Sequence, residues 1–524
     1  MNNEPRVNII GAGLAGLSAA YALAREGVKS RLISLQASER AQSNLAEGGI
    51  NAVLNVMDEN DTIDEHFADT IAGGCNLANP DMVWALVKNA PDIIDLLIRL
   101  GVPFNKTDGR IIQRNFGGQK KKRTAFVKSS TGKMVTTALI NAVRKYECND
   151  LVERLCHHEF LNLLLSEGDN RCVGVSIRDI YSERDISLPG PVIICCGGLN
   201  GFFHEMTTGT TANTGNAAAR LFLQGVEFSN LEFIQYHPTT VGIPQKRLLI
   251  SEAARGEGAR LFHEREKSRV YFMEDKYGPE GNLMPRDVVS REMALLPDNT
   301  RVYLDMTMLS KDIWENRLSD LRDELIKHLH KDPSLKPIPV RYGIHYFMGG
   351  IMVDESHRTN IEGLYAAGEC TCAYHGANRL GGNSLLGAIH GGISSANSII
   401  KAEQLSTYNV ENFIDKKISG MSDYEVFLNR SLSEILLSGL SILRDENKLS
   451  ESLKKIEELF QSNHSEEFEG RLLLGKAMLE SASKRHESRG AHTRTDYPKS
   501  DDKYLCNTIS VYKDDSVSVS FRHI

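Results

Sequence analysis

The chain has 524 residues, 41% of them hydrophobic, which is too long for a single apolar core and points to about two to four domains. Its formal net charge is only −7, with lysines and arginines spread along its length, which argues against a nucleic-acid partner. No apolar run approaches the ~18 residues of a membrane span, no leader pattern opens the chain, and its nine cysteines show no C-x-x-C spacing. These features argue against a transmembrane segment of its own, a disulfide framework and an iron–sulfur or zinc site, and a soluble, cytoplasmic protein is expected.

Val7–Ile10 reads as a short buried strand, followed at once by Gly11-Ala12-Gly13-Leu14-Ala15-Gly16 and a helix over Ser18–Gly27. That spacing predicts a dinucleotide site. The three glycines supply a tight turn, close approach of backbone to a pyrophosphate and close helix-to-strand packing, while the helix N-terminus offers free N–H groups. An acid expected about 20 residues on is missing. Ser34-Leu35-Gln36 ends the second strand, Ser30–Leu35, so the Ser34 hydroxyl is the expected ribose partner and the case for NAD is weakened.

Asn44–Val53, with Ala46-Glu47-Gly48-Gly49-Ile50, reads as a loop whose glycines let backbone approach a planar ligand, and helical patterns follow over Ile63–Gly73, Pro80–Leu100 and Lys133–Tyr146. Lys120-Lys121-Lys122-Arg123 reads as a solvated basic turn or, failing that, a guide for an anionic substrate. A strand over Val192–Cys196 ends in Gly197-Gly198, where the chain re-enters the cofactor site. From about residue 232 to 344 the texture changes to loops, charges and short helices, and strand-and-glycine texture returns at Tyr346. The apolar run Gly363–Ala367 leads into Gly368–Leu385, where Glu369, His375, Arg379 and several glycines crowd together, as expected where a flavin nucleotide meets a small dianion. Beyond Ile400, leucines at helical spacing over about Tyr424–Phe460 and Gly470–His486 predict packed helices. The fold class is therefore α/β: a Rossmann-like domain over 1–231 and 346–400, an inserted α+β capping domain over 232–345, and a helical C-terminal domain with a short tail over 401–524.

The inserted region carries the candidate chemistry. Gln235-Tyr236-His237-Pro238-Thr239 holds an imidazole on a loop braced by proline, and Ser251-Glu252-Ala253-Ala254-Arg255 puts Glu252 and Arg255 on one face of a helical turn. Pro285-Arg286-Asp287 adds a guanidinium, and Gly343-Ile344-His345-Tyr346 a second imidazole at the return point.

With these motifs in this order, the chain resembles the flavoprotein subunit of fumarate reductase and succinate dehydrogenase, and its close relative L-aspartate oxidase. The resemblance runs from about residue 5 to the Glu487-Ser488-Arg489-Gly490-Ala491-His492 and Asp496-Tyr497-Pro498 segments. It implies FAD between the first domain and the cap, with fumarate or succinate against the flavin ring. Arg379 and His345 would hold one substrate carboxylate, and His237 with Ser251 the other. Arg286 would be the proton donor, resupplied through Glu252 and Arg255, while hydride passes from flavin N5 to the other alkene carbon. The FAD contacts implied are Gly11, Gly13, Leu14, Ala15, Gly16 and Ser34 at the first motif, then Ser43, Ala46, Gly48, Gly49, Gly197 and Asn216. Glu369, Asn383, Ser384 and Leu385 complete them.

Four departures qualify the resemblance. Aspartate oxidases carry a glutamate for the substrate ammonium where Phe116 stands, which favours fumarate or succinate over aspartate; Phe116 and Gly48 are the further substrate contacts implied. Membrane-bound relatives attach FAD through a histidine five residues before the Glu-Gly-Gly loop. Gln42 stands there, so noncovalent FAD is expected, with Ser43 still able to donate a hydrogen bond and with a lower flavin potential that favours fumarate reduction. Thr214-Gly215-Asn216-Ala217 replaces Thr-Gly-Asp-Gly, and Gly387 replaces a glutamate, both read as altered flavin contacts. An iron–sulfur subunit is the implied electron partner, and partner subunits would account for any position at the inner face of a membrane. The alternatives are L-aspartate oxidase and a flavin electron-transfer protein without turnover of its own.

Overall fold

Val7–Ile10 is the middle strand of a five-stranded parallel sheet in the order Leu364–Ala366, Val192–Ile194, Val7–Ile10, Ser30–Ser34, Val152–Cys156. All residues of the first three strands are buried, which is why they read as near-continuous apolar runs. The computed structural model that shows this describes residues 6–57, 59–210, 212–244, 246–402, 413–414, 419–461 and 464–524. The first residues of the expected C-terminal domain, 403–412 and 415–418, thus lie outside the described residues. Helix Leu14–Arg25 begins at Leu14, not Ser18, so Gly16 sits inside its first turn, where a Cβ would meet the Gly11 carbonyl oxygen at 1.9 Å. The same helix packs on helix Asn383–Lys401. The approach is close enough that a Cβ on Gly392 would meet the Ala15 carbonyl oxygen at 2.2 Å.

Between the two halves of this unit lies a six-stranded antiparallel sheet. Its order is Lys246–Leu249, Ile234–Ile243, Ile338–Phe347, Val302–Asp305, Arg260–Arg265, Ser268–Val270. The expected texture of loops and short helices is corrected here. The two long strands carry Pro238, Gly242, Pro339 and Gly343, which break the alternation by which strands are recognised. The expected return point at Tyr346 falls inside the second of them. Leu261, Leu304, Trp314, Leu321 and Leu325 form a separate apolar cluster with the helices of this region, and Phe116 joins it from outside.

Helices Asp423–Gly439, Glu446–Phe460 and Glu466–Lys484 supply the predicted leucine packing. The chain end is not a short tail: Cys506–Lys513 and Ser516–His523 form a hairpin that pairs with Phe228–Ser229 and extends a sheet of the cofactor unit. The basic turn also needs correction. Arg123 is fully buried, donating to Asp61 at 2.8 and 3.0 Å and to Asp69 at 2.8 Å, whereas Lys122 stays exposed beside Glu59.

Candidate active site

A cavity of about 570 Å³ runs from the ends of the parallel strands to the six-stranded sheet. Among the described residues, three α-helices have glycine at the N-cap: Leu14–Arg25 after Gly13, Asn216–Leu223 after Gly215 and Asn383–Lys401 after Gly382. All three glycines line this cavity. The first amide of each helix is taken, Leu14 by Ser43 Oγ, Asn216 by Thr214 Oγ1 and Asn383 by the Leu380 carbonyl. With no N-cap side chain in the way, the remaining first-turn amides and the positive end of each helix dipole face an anionic or carbonyl-rich ligand. The residues present therefore fit a flavin dinucleotide.

Most of the expected cofactor residues line the cavity: Gly11, Gly13, Leu14, Ala15, Ser34, Ser43, Ala46, Gly48, Gly49, Gly197, Asn216, Glu369, Ser384 and Leu385. Ser43 Oγ accepts from the Leu14 amide at 3.1 Å, which leaves its own proton free to donate. Ser34 Oγ donates to the Gln36 carbonyl at 2.8 Å, so towards a ribose it can act only as an acceptor. Glu369 accepts from the Phe347 amide at 3.3 Å, and burial pushes its carboxyl up to about 7.

Two expected contacts are corrected. Asn383 lies behind the wall, where its amide receives from Asn51 at 2.7 Å and donates to Thr70 at 3.1 Å. Gly387 also stands outside the lining; a Cβ there would meet Tyr374 at 3.1 Å, so its bareness makes room for that ring and not for flavin. Gly16 stands outside the lining, where its lack of a side chain lets the helix pack on the Gly11 turn. Asn216 keeps its backbone at the cavity, but its side chain bridges Glu467 and Arg471 of the helical region.

At the far end stand His237, Ser251, Glu252, Arg286, His345, Arg379 and Phe116, brought together from two strands, two helix starts and two loops. Glu252 opens the short helix Glu252–Gly256, capped by Ser251, whose Oγ accepts from the Ala253 amide at 3.3 Å. Glu252 Oε2 accepts from Arg286 Nε at 2.6 Å and Oε1 from the Gly117 amide at 2.8 Å, with Arg255 Nη2 3.7 Å from Oε1. A Cβ on Gly117 would meet Oε1 at 2.5 Å, so only glycine brings its amide this near. Burial acts to raise the Glu252 pKa, but Arg286, Arg255 and these hydrogen bonds outweigh it and hold the group below the ordinary carboxylate range. Arg255 does not reach the cavity; it stands behind Glu252 and donates to the Asn282 carbonyl.

Arg286 and Arg379 are also linked to each other through a neutral amide. Arg286 Nη1 and Arg379 Nη2 both donate to one acceptor, Gln235 Oε1, at 3.1 and 3.0 Å. Gln235 Nε2 donates to Asn378 Oδ1 at 2.8 Å and to the Arg379 carbonyl at 2.9 Å, which fixes the amide's orientation. Asn378 is oriented in turn by donating to Asp287 at 2.9 Å. Gln235 was not among the expected site residues, although it precedes His237 by two positions on one strand, the spacing at which side chains share a face. Tyr346 was missed too: its ring lies 4.2 Å from the Arg379 guanidinium carbon.

The imidazoles of His237 and His345 lie 5.2 Å apart, centroid to centroid. Burial, then Arg286 and other nearby cations, pushes both far below the usual histidine range, so both are neutral near pH 7. The Thr239 amide donates to His237 Nδ1 at 3.3 Å, which assigns the proton to Nε2, a buried atom with no partner. His345 Nδ1 is held by Thr208 Oγ at 2.8 Å. Arg379 Nε likewise has no partner. Phe116, 2% exposed, packs at the position where a Cβ on Gly48 would lie 3.2 Å from its ring.

The description "FAD binding domain" matches residues 6–385 and "Fumarate reductase flavoprotein C-term" matches residues 463–524. The chain is 35% identical to the succinate dehydrogenase flavoprotein subunit of Bacillus subtilis, across 97% of this chain and 94% of that one. It is 32% identical to the L-aspartate oxidase of Pyrococcus horikoshii, across 94% and 96%. Its structure matches E. coli quinol fumarate reductase with a TM-score of 0.89 and 27% identity, covering 99% of this chain and 96% of that one.

Proposed function

This chain belongs to the succinate dehydrogenase and fumarate reductase flavoprotein family of FAD-binding oxidoreductases, and on that premise we propose that it interconverts fumarate and succinate, favouring reduction. The observation that carries this reading is the charge of the buried site. Arg255 and Arg286 share one contacting carboxylate, Glu252, and among the described residues Arg379 has none within ion-pair distance, which leaves two positive charges for a dicarboxylate to neutralise. Arg379 Nε and His237 Nε2 are buried donors without partners, as expected of groups reserved for substrate oxygens.

FAD, when bound, supplies or accepts the hydride. Arg379 and His345 orient one carboxylate and His237 with Ser251 the other, and the convergence of cations polarises the alkene towards the charge that develops. Arg286 gives its proton to the carbon opposite the hydride. A free arginine has a pKa above about 12, so the transfer is matched to the growing carbanion, and Glu252 with Arg255 resupplies the proton. The ammonium of aspartate would be buried against Phe116 with no counter-charge, at a cost of several kcal/mol, which supports the diacid over the amino acid.

FAD is held without a covalent bond, because the Gln42 amide cannot form the histidyl link. Flavin lost on acid precipitation supports this, and flavin retained contradicts it. A lower potential favours reduction, with about 30 mV worth 1.4 kcal/mol for two electrons. Electrons come from an iron–sulfur partner. Among the described residues no group of three or more His, Cys, Asp or Glu could hold a metal, and no helix is long and apolar enough to cross a membrane. Contact with the inner face of a membrane is made through partner subunits. Steady-state assays decide the activity. Fumarate-dependent oxidation of reduced viologen supports the proposal, aspartate-dependent oxygen consumption favours the oxidase, and failure of both leaves an electron carrier.

A further inference from the structure

We infer that Gln42 is a positioning residue that couples the flavin-side loop to His345, so that substrate affinity depends on the side chain at position 42. Gln42 opens the 3-10 turn Gln42–Leu45, next to the Ser43 that holds the start of helix Leu14–Arg25. Its Oε1 accepts from the Thr210 amide at 2.6 Å, across 168 residues of chain. Because Thr210 N–H can only donate, the amide oxygen is fixed there and the two N–H groups of Gln42 are left for the cavity its side chain lines.

Thr210 follows the stretch 206–208, which lies along the cap. Ile344 N donates to Met206 O at 2.7 Å, Thr208 N to Ile344 O at 2.8 Å and Arg247 N to Thr207 O at 2.8 Å. Asn200 holds Thr207 and Asn213, at 2.8 and 3.2 Å. Thr208 Oγ in turn meets His345 Nδ1 at 2.8 Å and thereby sets the direction of the other ring nitrogen. One residue, Gly209, separates the Gln42 contact at Thr210 from the imidazole contact at Thr208. Position 42, where flavin-linked relatives place their attaching histidine, is therefore occupied here by a group that ties the flavin loop to the substrate-facing loop.

The inference rests on the dicarboxylate proposal for its ligand-binding arm only. Flavin-loaded wild type, Gln42→Met and Gln42→Glu are compared in two measurements: hydrogen exchange of peptides covering 206–213, and malonate titration followed by flavin absorbance. Methionine matches the length without a strong acceptor, and glutamate keeps an oxygen for Thr210. In Gln42→Met, exchange is expected to quicken and malonate affinity to fall, each by roughly five- to tenfold, the factor one hydrogen bond is worth. In Gln42→Glu, exchange protection returns to within about twofold of wild type. Should Gln42→Met fail to retain flavin, Gln42→Asn, too short to reach Thr210, takes its place. Unchanged exchange, faster exchange with unaltered malonate affinity, or no recovery in Gln42→Glu each overturns the inference. If malonate leaves the wild-type spectrum unchanged, the dicarboxylate proposal fails by itself, and the exchange arm still decides whether Gln42 anchors Thr210.

Discussion

Arg485 and Arg379 are both buried guanidiniums set over aromatic rings, Arg485 4.9 Å from Phe233 and Arg379 4.2 Å from Tyr346, yet their surroundings differ in kind. Arg485, at the junction with the C-terminal region, donates to Glu232 at 2.7 Å, Glu487 at 3.0 Å, and the carbonyls of Tyr504 and Cys506 at 2.8 Å each. Glu487 is shared with Arg489 at 2.8 Å, so charge and hydrogen bonding close within the protein. Arg379 has no carboxylate within ion-pair distance among the described residues, shares one amide oxygen with Arg286, and leaves Nε unpartnered. Both arginines were taken out of water at a cost. At Arg485 the protein supplies the compensation, and at Arg379 it is left to a ligand. Unfilled donors alone do not make this distinction, since Arg220 Nε is also unpartnered although its guanidinium pairs with Glu467; at Arg379 the unfilled donor comes together with a place in the cavity wall and no contacting carboxylate among the described residues.

Substitutions in the two regions should break in different measurements. On the proposed mechanism, Arg286→Gln should lower kcat with fumarate at least about a thousandfold through loss of the proton donor, with a smaller stability loss than at Arg485, because Arg255 and the Gly117 amide still face Glu252. Arg485→Met leaves Glu232 and Glu487 short of their counter-charge and should cost about 3–5 kcal/mol in denaturant unfolding. Arg379→Met should weaken dicarboxylate binding by about a hundredfold, yet leave stability within about 1 kcal/mol of wild type or raise it. A large loss of stability there would erase the distinction between the two regions. Gln235→Glu supplies the carboxylate that the site lacks, and should raise KM for the dicarboxylate at least about tenfold with a smaller change in kcat.

The mildest test is pH. Burial lifts Glu369 to about 7, so it is a neutral acid below that value and a carboxylate above it. If ribose hydroxyls donate to it, FAD binding favours the carboxylate and releases a proton, and FAD affinity should rise severalfold from pH ~6 to ~8. Calorimetry in buffers of different ionisation enthalpy measures that proton.

Local patterns were legible wherever chemistry and sequence distance were both short. The Val7–Ile10 strand, the glycine motif after it and the helix Ile63–Gly73 stand where periodicity and glycine spacing put them. The Glu252–Arg255 turn was legible as a helical i,i+3 pair. The long strands Ile234–Ile243 and Ile338–Phe347 were not, because residues kept for the site interrupt their alternation. The closing hairpin Cys506–His523 was missed because its partner, Phe228–Ser229, lies far back in the chain. Arg123 was read as solvated because nothing in four consecutive basic residues says which one finds Asp61 and Asp69.

The sequence by itself determined the cofactor class and the acids, imidazoles and guanidiniums available, since a glycine motif between strand and helix and a run of reactive side chains are local properties. It could not say which guanidinium meets which carboxylate. That was settled only when the strand with Gln235, the helix with Arg286 and the loop with Arg379 converged, 51 and 144 residues away from Gln235. Pairing of buried charges depends on desolvation and distance in three dimensions, and neither exists until the chain has folded.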